Sequence, residues 1–172
     1  MTNNAERRTN MSSKITIIGA GSVGSTIAYT LSQKSIASEI VLIDINRQKA
    51  EGEVMDIDQG TSFREPISIV AGDYPDAADS DIVIITSGIA RKPGQTRIEL
   101  TQTNVNIMKS ITPEIVKVAP KALYIIVSNP CDIMTYAFAK NFRSSREPDP
   151  WFRNRPGYGS SPLQTFPALR RI

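Results

Sequence analysis

The stretch "KITIIGAGSVGSTIAYTL" constrains this chain more than any other. A β-branched apolar run ends at Gly19, and a helical pattern begins within a few residues of it. A run this apolar has no face suited to water, so it reads as a strand buried on both sides. Gly19, Gly21 and Gly24 stand at the spacing Gly-x-Gly-x-x-Gly. The first allows a tight turn, the second lets the backbone approach a pyrophosphate, and the third lets helix and strand pack closely. The helix N-terminus then offers free N–H groups and a positive dipole end to the phosphates. Glycine triplets also occur by chance in turns, and it is the strand before and the helix after that give this one weight. Asp44 ends the next strand, 20 residues past Gly24, where an acid can bind a ribose 2′-hydroxyl. An acid rather than a base there favours NAD over NADP. The plainer reading makes these residues helix-packing glycines and a helix-capping aspartate.

The rest of the chain repeats the alternation. "EIVLID", "ISIVAG", "DIVIIT" and "ALYIIV" read as further strands. "SVGSTIAYTLSQKS" is helical, with Val23, Ile27, Ala28 and Leu31 at helical spacing. "NRQKAEGEVMDIDQG" is a helix that starts behind Asn46 and stops near Gly60. "ELTQTNVNIMKSITPEIVKVAP" is a long helical pattern expected to break near Pro113, and "DIMTYAFAK" begins another helix behind Asn129-Pro130. Apolar strands alternating with helices predict an α/β fold, a Rossmann-type doubly wound parallel sheet covered on both faces. The expected sheet is truncated at five strands, with a disordered C-terminal tail.

Composition narrows the function. The chain of 172 residues is 40% hydrophobic, enough for one domain with a real core. Its apolar runs are too short to span a bilayer, so no membrane partner is expected. With one Cys and no His there is no metal-ligand cluster. The lone Cys131 fits a reducing cytoplasm and reads as a small buried hydrophobe. Residues 1–13 are polar and lack the apolar core of a secretory signal. They read as an extension, with Met11 as an alternative start. The net charge of +3 is unevenly placed. From Asn141 onward six arginines face two acids, which leaves the preceding part near −1.

Four motifs stand in order along the chain: "GAGSVGSTIAYTL", "EIVLIDIN", "AGDYPDAADSDIVIITSGIARKPGQTR" and "VSNPCDIMTY". Over residues 14–140 the chain resembles the N-terminal half of an NAD-dependent lactate/malate dehydrogenase. The resemblance implies that Gly19, Gly21, Val23, Gly24, Asp44, Lys49, Tyr74, Gly88, Ile89, Ser110, Val127 and Asn129 line the NAD site. It implies that Asn129 touches the carbonyl end of a small 2-hydroxy or 2-oxo acid, with Asp132 in the same substrate set. Arg97 is then the mobile-loop arginine that polarises the substrate carbonyl, the one catalytic residue expected here. Arg91 takes the loop position facing the substrate side chain. Lactate-specific relatives usually have glutamine there and malate-specific relatives arginine, which would pair with a second carboxylate. "SNPCDIMTY" and "EIVLID" look closer to the lactate type. The plainer reading leaves Arg91 in solvent. A homo-oligomer is implied for a full-length family member.

The family's chemistry also needs a histidine to move a proton, an aspartate to hold it and an arginine to clamp the substrate carboxylate. The resemblance implies that all three lie C-terminal to this match. The expectation is therefore a fragment without its substrate domain, inactive by the usual mechanism. A non-catalytic NAD-binding module is the alternative. The segment 141–172, rich in Arg, Pro and Ser, has no clean period. Arginines near Trp151, Phe152 and Tyr158 would suit a nucleic-acid arm. A better account is a frameshift. Read one base along, the segment can encode a string similar to the family's own continuation beyond "YAFAK", including the aspartate and the clamp arginine. Lys140-Asn141 is written in adenine-rich codons, a natural place to gain a base. On this account the tail has no function of its own and nucleic acid is not a partner.

Overall fold

A computed structural model describes residues 13–60, 67–91 and 93–145. The expected N-terminal extension, apart from Ser13, and the tail beyond Ser145 lie outside the described residues. The elements in chain order are β1 (Lys14–Ile18), α1 (Ser22–Gln33), β2 (Glu39–Ile43), α2 (Arg47–Gln59) and β3 (Ser68–Ala71). A 3-10 turn (Tyr74–Ala77) comes next, then β4 (Ile82–Ile85), α3 (Arg97–Val118), β5 (Leu123–Ile126) and α4 (Cys131–Ser145). All described strand pairs are parallel, in the order β3-β2-β1-β4-β5. These are the first five positions of the doubly wound order.

Strand alternation sends side chains to two cores. Ile15, Ile17, Ile40, Leu42, Ile69 and Ile84 face α1 and α2, where they meet Ala28, Ala50 and Ile57. Val41, Ile43, Val83 and Ile85 face the other way, onto Met108, Ile111 and Ile115 of α3 and Met134, Ala137 and Phe138 of α4. The chain winds to one side of β1 through β2 and β3, then crosses to the other through β4 and β5. The strand order therefore reverses between β1 and β4, and a crevice opens at their carboxyl ends.

Asn46 caps α2, its side chain accepting the Lys49 N–H, and Gly60 stops it, as the sequence predicts. Three expectations change. Helix α3 does not break at Pro113 but runs through it. Pro113 cannot donate to the Lys109 carbonyl, and both residues are exposed, a setting in which water can take the lost bond. Helix α3 also begins at Arg97, because Thr96 and Glu99 form a reciprocal capping box. Cys131 is exposed, not buried, because the first turn of α4 carries it outward. Its thiol lies 3.4 Å from Asn129 Oδ1.

Helix α4 runs five residues past Lys140, to Ser145. Phe142 packs edge-on against Tyr124, with ring centroids 5.7 Å apart, and Tyr124 lies 4.7 Å from Phe138. This cluster buries Phe138 and covers β5 from the α4 side, while Ile133 and Tyr136 stay exposed. Among the described residues no helix is long and apolar enough to cross a membrane.

Candidate functional site

The glycine turn is built by steric need at two positions and by open space at the third. Gly19 has φ +112°, and a Cβ there would lie 2.6 Å from Thr86 Oγ1. Such a backbone strains any L side chain. A Cβ on Gly24 would lie 1.8 Å from the Gly19 carbonyl oxygen, so α1 can approach β1 only with glycine there. Gly21 differs, since nothing lies within 4 Å of the place its Cβ would take. It is the N-cap of α1, which has no side-chain cap and no acid in its first turn. Unpaired N–H groups and the positive dipole end therefore open onto free space, a setting that suits an anion.

Hydrogen bonds join the turn to its neighbours. Asp44, half-buried at the end of β2, accepts from Ala20 N at 2.7 Å and from Asn46 N at 2.8 Å. Its carboxylate thus ties the glycine turn to the start of α2. Thr86, just past β4, donates to Gly19 O at 3.0 Å, and Ser87 donates to Ile18 O at 2.9 Å. Ser128, just past β5, donates to Ser87 O at 2.6 Å. Asn104 of α3 accepts from Ile89 N and donates to Asn129 O, both at 3.0 Å. The ends of β2, β1, β4 and β5 are thereby linked into one rim.

The expected site residues distribute along this rim unevenly. Gly19, Gly21, Gly24 and Asp44 converge on the turn, with Val23 exposed beside it. Lys49 is exposed on α2, where its N–H meets the Asn46 cap. Gly88, Ile89, Val127 and Asn129 belong to the loops after β4 and β5. Tyr74 is packed against the α3-side core, and its phenol is pushed above its ordinary value by burial and then by Glu114. Ser110 stands apart, exposed on α3 and donating to Ile107 O. It is six residues past Asn104, about 9 Å further along the helix axis.

Arg97 is the first residue of α3 and lines an open groove of about 410 Å³ with Ile98, Thr101, Gln102, Val105 and Ile133. Asp132 is exposed in the first turn of α4. Arg91 folds back on its own loop, Nε donating to Gln95 O at 2.8 Å. At the start of α2, Arg47 pairs with Glu51 at 3.0 Å and with Asp73 at 2.5 Å. The Glu51 hydrogen bond and then the Asp73 charge raise its pKa. The sequence reading missed Thr86, Ser87, Asn104 and Ser128. The small polar residues directly after apolar strands, in "TSGIA" and "VSNP", were the available signal for three of them.

Comparison with known proteins gives a consistent result. The family described as lactate/malate dehydrogenase, NAD binding domain, matches residues 13–148. L-lactate dehydrogenase 1 of Clostridium acetobutylicum is 54% identical over 123 residues, covering 72% of this chain and 39% of that protein. The L-lactate dehydrogenase of Clostridium botulinum strain Loch Maree is 51% identical over 127 residues, 74% of this chain and 40% of that protein. Among solved structures, the minor L-lactate dehydrogenase of Enterococcus mundtii superposes with a TM-score of 0.74 at 39% identity, covering 77% of this chain and 42% of that one. Malate dehydrogenase of Archaeoglobus fulgidus in complex with NADH gives 0.70 at 39% identity, covering 74% and 44%. The chain spans about two fifths of the length of the curated relatives it matches.

Proposed function

The chain belongs to the lactate/malate dehydrogenase family, matched through its NAD-binding domain, and from that premise we propose that it binds NAD across the β1/β4 crevice as the dinucleotide half of an L-lactate-type dehydrogenase. The observation that carries this reading is the Gly21 cradle, an uncapped helix N-terminus with no atom where a Cβ would stand. A pyrophosphate needs that close approach and those donors. Asp44 would orient the ribose, and Ile89, Val127 and Asn129 would line the nicotinamide side. Nicotinamide, when bound, supplies the hydride chemistry that interconverts 2-hydroxy and 2-oxo acids.

The chain's own residues would bind and polarise the acid. Asn129 would donate to its carbonyl oxygen, and Arg97 would place a positive charge where negative charge develops. A proton must also move, and these 172 residues contain no histidine. Binding without turnover is therefore expected of this polypeptide. Titration with NADH, followed by assay with pyruvate and with oxaloacetate, tests both halves. Absence of NADH binding would overturn the cofactor reading, and turnover above blank would overturn the inactivity.

Arg91 favours a second reading, a malate-type substrate with two carboxylates. Removing one base at the adenine-rich Lys140-Asn141 codons should give a longer, active product if the tail is frameshifted. In that product Arg91→Gln should shift the kcat/KM ratio toward pyruvate. An unchanged ratio would mean that Arg91 only faces solvent. The 51–54% identity to L-lactate dehydrogenases supports lactate as the first choice.

A further inference from the structure

Asn104 sits on the buried face of α3 with only 4% of its surface exposed, in line with Met108, Ile111 and Ile115. An apolar residue would be the ordinary occupant of such a place. A buried amide is costly unless its donor and acceptor both find partners. Here both do, and the partners lie on different loops: the Ile89 N–H 15 residues before it and the Asn129 carbonyl 25 residues after it. One loop carries Gly88, Ile89 and Arg91, and the other carries Asn129 and leads to Asp132. A planar amide meets an N–H and a C=O together, whereas leucine meets neither and an ionised aspartate only the N–H. Gly88 packs directly over the amide, since a Cβ there would make ordinary contact with Asn104 Oδ1 at 3.4 Å. Arg97 stands seven residues earlier, two turns back and on nearly the same face of α3.

We infer that Asn104 is a positioning residue: its amide clasps the β4 and β5 loops together and so sets the nicotinamide and substrate wall of the crevice. The inference rests on the NAD reading above. A purely structural amide and a positioning amide differ in which part of a ligand they affect. ADP-ribose lacks nicotinamide and probes the glycine turn and Asp44, whereas NADH probes the clasped loops as well.

The test uses the full 172-residue chain as wild type, Asn104→Leu and Asn104→Asp, each titrated calorimetrically with NADH and with ADP-ribose. Asn104→Leu should bind NADH about ten-fold more weakly while keeping ADP-ribose affinity. Asn104→Asp keeps the acceptor for Ile89 N–H but sets a buried carboxylate against the Asn129 carbonyl, so its NADH loss should be at least as large. Equal losses for both ligands, or no NADH loss in either variant, would overturn the inference. ADP-ribose binding also reports that a variant is folded, and if Asn104→Leu is not, the ligand ratio in Asn104→Asp decides. A wild-type chain that binds ADP-ribose but gains nothing from nicotinamide would overturn the clasp alone. One that binds neither ligand would overturn the NAD reading beneath it.

Discussion

Gly24→Ala and Gly21→Ala should separate two roles that the glycine turn combines. At residue 24 a Cβ would stand 1.8 Å from the Gly19 carbonyl oxygen and 2.9 Å from Thr86 Oγ1. Ordinary contact begins at 3.4 Å, so α1 would have to retreat from β1 by more than an ångström. The obstacle is backbone, and that turn is itself held by Asp44 and Thr86, so no side chain can swing aside to relieve it. Overpacking costs about 1–3 kcal/mol, and a backbone obstacle puts this case at the upper end. Against a domain stability of roughly 5–15 kcal/mol, that is a large loss. It corresponds to a fall in Tm of about 10 °C for a domain of this size.

At Gly21 the same methyl group meets nothing within 4 Å, and φ −73°, ψ 177° is open to any residue. Alanine is a poorer N-cap than glycine, so stability should fall by about 1 kcal/mol or less, short of the Gly24→Ala loss. NADH affinity should nonetheless fall about ten-fold or more, because the methyl holds the pyrophosphate off the helix N–H groups. Thermal unfolding by circular dichroism and NADH titration on the same samples measure both effects. A Gly24→Ala chain that melts with the wild type would refute the packing argument. A Gly21→Ala chain with unchanged NADH affinity would refute the cradle.

Glu99 gives a pH dependence. The Thr96 backbone and then the Thr96 side chain hold its carboxyl below the ordinary 4.5. Its capping contribution is therefore full above pH 4.5 and is lost as pH falls through the lower folded value. The wild type should lose Tm more steeply in that acid range than Glu99→Gln, whose neutral amide does not titrate, and parallel curves would show that the cap contributes no pH dependence. β5 pairs only with β4 among the described strands, and Ile125 on it is 41% exposed. Ile125→Lys should raise the monomer fraction measured by light scattering, because a charge on an edge strand opposes pairing with another copy. An unchanged fraction would place any association elsewhere on the surface.

The sequence by itself determined the alternation of strands and helices, the glycine turn, the acid at the end of β2 and the sheet's doubly wound class. Those features are local. Apolar periodicity, Gly-x-Gly-x-x-Gly and an Asn N-cap each lie within a few residues, and their physical meaning does not depend on distant partners. The capping box at Thr96 and Glu99 was equally local and was legible to the same reasoning. The tertiary structure decided the rest. Pro113 stays helical on an exposed stretch of α3, and Phe138 is buried because Tyr124 of β5 meets it across the fold, beside Phe142 one turn along the same helix. Cys131 is exposed by the direction in which α4 leaves β5. Asn104 looks like one polar residue in a helix until folding brings Ile89 and Asn129 to its two ends. Contacts across 15 to 25 residues leave no period in the sequence, because loop geometry, not spacing, determines which groups meet.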